Sequence, residues 1–118
     1  MDLLKPQGAK YVNDVYFREF NNKNLNELIG LYSPDVVLTD WVDEWVGRDT
    51  VLMANKDFFK NDFTIIVENS VVSVDNDMNM IKVSNDIVIE INGETIKAVD
   101  DILFTHSNKI YSITAYKR

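Results

Sequence analysis

The sequence has no cysteine and only one histidine, two prolines and four glycines among its 118 residues. Without cysteine, the chain can form no disulfide, no thiolate metal site and no thiol nucleophile. The one histidine, His106, falls in the turn-like segment THSNK. A histidine-based metal cluster or a His–Asp pair is therefore not supported. We expect neither a metal nor a cofactor.

Long apolar runs and an excess of positive charge are also missing. The first ten residues, MDLLKPQGAK, lack the apolar core of a signal peptide. No later segment approaches the roughly 18 apolar residues that a membrane span requires. The 19 acidic and 12 basic residues give a net charge of -7, which repels nucleic acid and anionic membranes. We expect a cytoplasmic protein that binds neither.

The residues that are present predict a single domain, residues 1–118, because 46% of them are hydrophobic and the chain is too short for two cores. Three stretches have the apolar spacing of helices: residues 9–20, 25–31 and 50–60. Asn24 and Asp49 are the predicted N-caps of the second and third helices. Ser33-Pro34 is predicted to end the second helix.

Alternating and β-branched residues predict the strands. One strand is expected at residues 36–42, and four more form an antiparallel meander at residues 64–74, 80–91, 94–105 and 109–117. Asn92-Gly93 predicts a two-residue type I′ hairpin, which needs positive φ at both central residues. The segment DNDMN resembles the start of a calcium loop, but Met80 stands where that loop requires glycine, so a hairpin turn is favoured. The fold class is α+β.

Two predicted strands carry an aspartate on an apolar face. In the segment LTDWVDEWVG, strand alternation puts Asp40 on the same face as Leu38. Asp100 likewise alternates with Ala98 and Ile102. A carboxylate in such a place must be paired, hydrogen-bonded or held with a raised pKa, because an unpaired buried charge is costly. Each aspartate is thus either a structural exception or a functional residue.

Two tryptophans, Trp41 and Trp45, follow this first aspartate in the sequence. Trp41 is predicted on the face opposite Asp40, under the third helix or in a subunit contact, and Trp45 is predicted at the rim of a pocket. Two aromatic core anchors are an equally good explanation of the pair.

The run NLNELIGLYSPDVVLTD, followed by a glycine, a helix, three long strands and the ending KIYSITAYKR, resembles the nuclear transport factor 2-like superfamily. This superfamily includes SnoaL-like polyketide cyclases and ketosteroid isomerases. The resemblance implies a cone-shaped, cystatin-like fold in which three N-terminal helices pack on a curved, mostly antiparallel sheet. It also implies a homodimer.

The resemblance to ketosteroid isomerases extends to individual residues. Their general base is an aspartate that ends the strand after a tyrosine and a short acidic turn, which corresponds to Asp40 in LYSPDVVLTD. Their two hydrogen-bond donors to the enolate oxygen correspond to Tyr16 and to Asp100 in VDDILF. The implied chemistry is proton transfer next to a carbonyl, with both donors protonated.

The sequence therefore predicts an apolar pocket for a small hydrophobic molecule. The candidate catalytic residues are Asp40, Tyr16 and Asp100. The candidate lining residues are Phe20, Leu38, Trp45, Phe58 and Ile102. Three functions stay open: a cofactor-independent isomerase or SnoaL-like cyclase, a non-catalytic ligand-binding or dimerisation module, and an adaptor for another protein.

Overall fold

The structure is a computed structural model that describes residues 5–118. Its helices are α1 (Pro6–Asn21), α2 (Leu25–Leu31) and α3 (Arg48–Phe58). Its strands are β1 (Tyr32–Thr39), β2 (Glu44–Val46), β3 (Phe63–Asp75), β4 (Met80–Ile91), β5 (Glu94–Phe104) and β6 (Ile110–Lys117). The helices pack on one face of a curved sheet, so the predicted α+β fold is confirmed.

The first two helices form where the apolar spacing predicts them. Helix α1 starts at Pro6, before the predicted residue 9, because proline's fixed φ suits the first turn and its missing N–H is not needed there. Helix α2 has the predicted bounds. Its predicted cap is confirmed, because the Asn24 side chain accepts a hydrogen bond from the Glu27 N–H at 3.4 Å.

Ser33-Pro34 follows the end of the second helix, as predicted, but the two residues belong to a strand rather than to a turn. Helix α2 ends at Leu31, and Tyr32 already has the extended backbone of β1. Ser33 and Pro34 lie inside β1, where the pairing with β6 shifts register between Tyr32 and Val37. Proline lacks an N–H to donate, and such an irregularity in a strand tolerates it.

The segment after β1 also differs from the prediction. Strand β1 ends at Thr39 rather than residue 42, and the short β2 folds back antiparallel to it. Helix α3 begins two residues before the predicted start, with Gly47 at its N-cap and Asp49 in its first turn. Gly47 has φ +91, a conformation that other residues rarely adopt. Asp49 is therefore not the N-cap.

The four long strands form the predicted antiparallel meander. Within residues 5–118 the sheet order is β2-β1-β6-β5-β4-β3, and β1 and β6 are the one parallel pair. Asn92 and Gly93 have φ of 50° and 84°, as a type I′ hairpin between β4 and β5 requires. A bulge between Val67 and Asn69 interrupts the β3–β4 pairing, and bulges of this kind bend a strand. The segment DNDMN forms the β3–β4 turn, as favoured by the sequence.

The core lies between the helices and the inner face of the sheet. Helix α1 contributes Ala9, Tyr16, Phe17 and Phe20, and the sheet contributes mainly isoleucine and valine. A buried amide pair joins the two layers, because Asn13 and Asn85 each donate to the other at 2.9 Å. In the part of the chain that is described, no helix is both long and apolar enough to cross a membrane.

Candidate functional site

A cavity of about 350 Å³ lies between helices α1 and α3 and the inner face of the sheet. One wall is apolar and comes from the strands. It consists of Ile65, Ile87, Ile89, Ile91, Ile96 and Ile113. The side chains of Tyr16, Asp40 and Asp100, which the sequence singled out, all line this same cavity. The fold thus brings together residues from α1, from the end of β1 and from β5.

Asp100 is the buried acid of the cavity. It is 8% exposed and lies on the inner face of β5 between Ala98 and Ile102, as the alternation predicts. Its carboxyl oxygens make no hydrogen bond to any residue from 5 to 118. Burial raises the pKa of this carboxyl to about 7, with smaller contributions from the charges of Asp101 and Asp40. At pH 7 about half of the Asp100 carboxyls are therefore protonated, and the protonated form can donate a hydrogen bond.

Tyr16 belongs to a buried chain of polar side chains. Its hydroxyl hydrogen-bonds that of Tyr32, and the Asn55 side-chain amide donates to the Tyr32 hydroxyl at 2.5 Å. Burial raises the pKa of Tyr16 well above its usual range and that of Tyr32 to about 12. Both phenols are thus neutral donors at physiological pH. Phenolic hydrogens rotate, so the chain can point toward or away from the cavity.

Asp40 lies where β1 ends, and one of its two carboxylate oxygens has a structural role. One oxygen, Oδ1, accepts the backbone N–H groups of Val42 at 2.7 Å and Asp43 at 2.8 Å. This turn folds the chain back into β2. The other oxygen, Oδ2, has no hydrogen-bond partner among residues 5–118, and the side chain is half-buried at the cavity.

The two tryptophans both line the cavity. The prediction that Trp41 packs under the third helix is wrong, because β1 has ended and the turn at Asp40 carries the indole to the cavity rim. There Trp41 is 41% exposed, and the ammonium of Lys117 lies 5.2 Å from its ring centroid. Trp45 pairs with Leu38 across β1 and β2 and packs on the core.

The other predicted lining residues are mostly in place. Phe20, Leu38, Trp45 and Phe58 line the cavity. Ile102 does not: it is fully buried in the core, paired with Val83 on β4 and Ile113 on β6. It shares a face with Asp100, as predicted, but lies deeper under the helices, so the side chains around it fill the space.

Sequence reasoning missed Tyr32 and Asn55 as parts of the site. Asn55 carried a usable signal, because it falls on the helical stripe of Val51 and Phe58, where a polar residue is unexpected. Tyr32 carried no such signal, because a tyrosine beside an apolar helix face is ordinarily explained by core packing. Asp57 also lines the cavity, and nothing in the sequence distinguishes it from an ordinary exposed aspartate of a helix.

Basic side chains are absent from the cavity lining within residues 5–118. The same residues contain no group of three or more His, Cys, Asp or Glu side chains that could hold a metal ion. The arrangement therefore offers the Asp40 carboxylate with an open oxygen, a second carboxylate at Asp57, the buried carboxyl of Asp100 with its raised pKa, and the Tyr16 phenol around an apolar space. Such groups can orient a carbonyl oxygen and exchange a proton beside it.

Known structures share this fold. A steroid delta-isomerase from Pseudomonas aeruginosa has a TM-score of 0.76 and 17% identity, over 98% of this chain and 82% of that chain. An NTF2-like protein from Cytophaga hutchinsonii has a TM-score of 0.76 and 14% identity, over 98% and 92% of the two chains. The Orange Carotenoid Protein of Anabaena (Nostoc) sp. PCC 7120, which binds canthaxanthin, has a TM-score of 0.78 and 16% identity, over 98% of this chain and 36% of that one.

Sequence comparison gives the family. No curated protein matches this chain. Residues 14–107, which contain Tyr16, Asp40 and Asp100, match the model of the SnoaL-like domain. Because this match spans well over half of the sequence, the chain belongs to the SnoaL-like domain family.

Proposed function

We propose that this SnoaL-like domain binds a small hydrophobic carbonyl compound in its cavity and shifts a proton on the carbon next to the carbonyl. The observation that carries the proposal is Asp100. It is a buried carboxyl with a pKa of about 7, without a hydrogen-bond partner in residues 5–118, at an apolar cavity. A neutral acid in such a place is suited to donate to an oxygen that becomes negative.

Tyr16 is the second donor in this mechanism. In the ligand-bound state the polar chain runs toward the cavity, from the Asn55 amide to Tyr32, from Tyr32 to Tyr16, and from Tyr16 to the ligand oxygen. The Asn55 amide already donates to Tyr32, so only the two phenolic hydrogens need to rotate. Tyr16 and Asp100 together then hold the enolate oxygen.

Asp40 is the base. Its Oδ1 stays bound to the Val42 and Asp43 N–H groups, which fixes the carboxylate, and its Oδ2 takes the proton from the ligand carbon. The charge moves from Asp40 to the enolate oxygen and back, so the net charge of the cavity does not change during the reaction. The similarity in fold to the steroid delta-isomerase supports a proton transfer of this kind, and it does so through the fold alone.

The test is hydrogen–deuterium exchange at the α-carbon of a bicyclic ketone, 2-tetralone, followed by NMR in heavy water. Asp40→Asn is the decisive variant, because an asparagine Oδ1 can still accept the Val42 and Asp43 bonds and keep the loop folded. We expect this variant to slow protein-catalysed exchange about 100-fold or more, the usual contribution of a general base. Asp35→Asn is the matched control, since Asp35 is an exposed residue of β1, the strand that precedes Asp40. Equal exchange by wild type and Asp40→Asn rules out Asp40 as the base.

A second function, ligand binding without chemistry, is favoured by one observation. Tyr16, the second donor, is already hydrogen-bonded to Tyr32, and one oxygen of Asp40 is held by its turn. In that case 2-tetralone binds, measured by tryptophan fluorescence, and its α-protons exchange no faster than in buffer. The adaptor function predicts that no small ketone binds.

We also propose a homodimer formed through the outer face of the sheet. This face exposes apolar side chains that the helices leave uncovered. They are Val46, Ile66, Val71 and Tyr116. Light scattering coupled to size exclusion should give twice the mass of 13.6 kDa, and the mass of one chain excludes the dimer. A cytoplasmic location stays a prediction from the sequence.

A further inference from the structure

Two buried amides join helix α1 to strand β4. Asn13 and Asn85 are both 0% exposed, and the amide of each donates to the side-chain oxygen of the other at 2.9 Å. A reciprocal pair of this kind forms in only one relative placement of the two side chains, because hydrogen bonds are directional. Apolar contacts are not directional and fix the position of a helix on a sheet less closely. The amide pair therefore sets where α1 lies along β4.

Asn85 also holds the strand that carries Asp100. The two residues lie directly opposite each other in the pairing of β4 with β5. Nδ2 of Asn85 donates to the backbone oxygen of Asp100 at 3.2 Å, and the Ser70 hydroxyl donates to Oδ1 of Asn85 at 2.7 Å. The Asn85 side chain thus connects the backbone of Asp100 to helix α1.

The other end of this connection is Tyr16. Asn13 and Tyr16 are three residues apart on α1, which puts their side chains on the same face of the helix, and both are buried. The two donors of the proposed mechanism, Tyr16 and Asp100, therefore belong to elements that the amide pair joins. Neither Asn13 nor Asn85 lines the cavity, so neither contacts a ligand there.

We propose that Asn13 and Asn85 are positioning residues that set the distance between the Tyr16 hydroxyl and the Asp100 carboxyl. Both donors must reach the same ligand oxygen, and a misplacement of about 1 Å in such an arrangement can slow a reaction ~100-fold. An apolar pair would fill the same space without fixing this distance. The inference rests on the proposed function and names two residues outside the cavity on which that function depends.

The test measures the kinetics of hydrogen–deuterium exchange in 2-tetralone and the carbon-13 shift of the bound carbonyl in Asn13→Leu. We expect kcat to fall about tenfold while KM stays within about twofold, because the apolar wall still binds the ketone. The downfield shift of the carbonyl carbon should shrink, since the two donors no longer meet at one oxygen. A smaller folded fraction alone would lower the apparent kcat but leave the shift of the bound ketone unchanged.

Ile81→Ala is the control for lost stability. Ile81 is a buried residue of β4 that does not line the cavity, and its truncation leaves a void in the core. We expect this variant to lose at least as much stability in urea as Asn13→Leu and to keep the wild-type kcat and carbonyl shift. Equal losses of kcat and shift in the two variants contradict a positioning role. If Asn13→Leu does not fold, Asn13→Ser replaces it with the same expectations, because serine cannot form the reciprocal amide pair.

The variant Asn85→Leu and the double variant Asn13→Leu/Asn85→Leu show whether the two amides act as a unit. The double variant should be no slower than Asn85→Leu alone, since breaking the pair from either side removes the same connection. If the two losses of kcat multiply in the double variant, Asn13 and Asn85 act independently and the inference is wrong.

Failure of the inference and failure of the proposed function give different results. If the wild type exchanges the α-protons and shifts the carbonyl signal, and Asn13→Leu does both equally well, the amide pair has no positioning role while the proposed function stands. If the wild type does neither, the proposed function fails, and this inference fails with it.

Discussion

Replacing Asp100 with asparagine should change how stability depends on pH. The pKa of this carboxyl rises from 3.8, its ordinary value, to about 7 in the folded protein because it is buried. The folded state therefore holds the proton more tightly than the unfolded state. The resulting stabilisation is full below pH 3.8, decreases as pH rises and is lost above about 7.

The magnitude follows from these two values. Between about pH 5 and pH 8 the Asp100 carboxyl should lower the free energy of unfolding by about 2.5 kcal/mol. Asparagine has nearly the same shape but no proton to lose in this range. In Asp100→Asn, the decrease in stability between the two pH values should accordingly be smaller by about 2.5 kcal/mol than in the wild type.

Urea denaturation at the two pH values measures this difference. Asp35→Asn removes an exposed carboxylate and serves as the control, with the pH dependence of the wild type. If Asp100→Asn and the wild type lose stability equally between these pH values, Asp100 is not a buried neutral acid. The assignment of Asp100 as a donor would then be refuted.

Three further predictions concern the structure around the site. Gly93→Ala should cost about 1 kcal/mol in urea denaturation, because the type I′ turn needs φ +84 there, whereas Gly30→Ala in α2 should be neutral or stabilising; equal effects contradict the turn assignment. Asn13→Leu should cost about 2 kcal/mol in the same assay, because the buried Asn85 side chain loses both hydrogen bonds with Asn13 and keeps only those with Ser70 and with backbone carbonyls, and a neutral effect contradicts that role. Asp40→Ala should increase acrylamide quenching of the neighbouring tryptophan, unlike Asp40→Asn, because only alanine removes the acceptor that holds the turn.

Most of the fold could be predicted from the sequence, because it rests on periodic burial. The helix at residues 25–31 and the Asn92-Gly93 hairpin are set by local signals, a capping side chain and a turn that needs positive φ. The errors lie between β1 and α3. There a three-residue strand and a glycine N-cap depend on pairing with β1, which leaves little trace in local sequence.

The site could be predicted in part. Asp40 and Asp100 stand out because carboxylates at apolar positions are costly, and the resemblance to a family points to both of them. Tyr16 is indicated by that resemblance alone. The place of Trp41 could not be predicted by alternation, which fails where the Asp40 turn ends the strand. Ile102 lies on the predicted face of its strand but is buried in the core and does not line the cavity. Which residues of a face line the cavity depends on how the helices pack over the sheet.

The NMR shift of the carbonyl carbon of a bound ketone tests most directly whether Tyr16 and Asp100 hold the ligand oxygen. Carbon-13 in the carbonyl of 2-tetralone is observed by NMR with the wild type, Asp100→Asn, Tyr16→Phe and the control Asp35→Asn. We predict a downfield shift on binding to the wild type and the control, and a clearly smaller shift with either donor variant. A shift that is the same in all four proteins would show that Tyr16 and Asp100 do not hold the carbonyl oxygen.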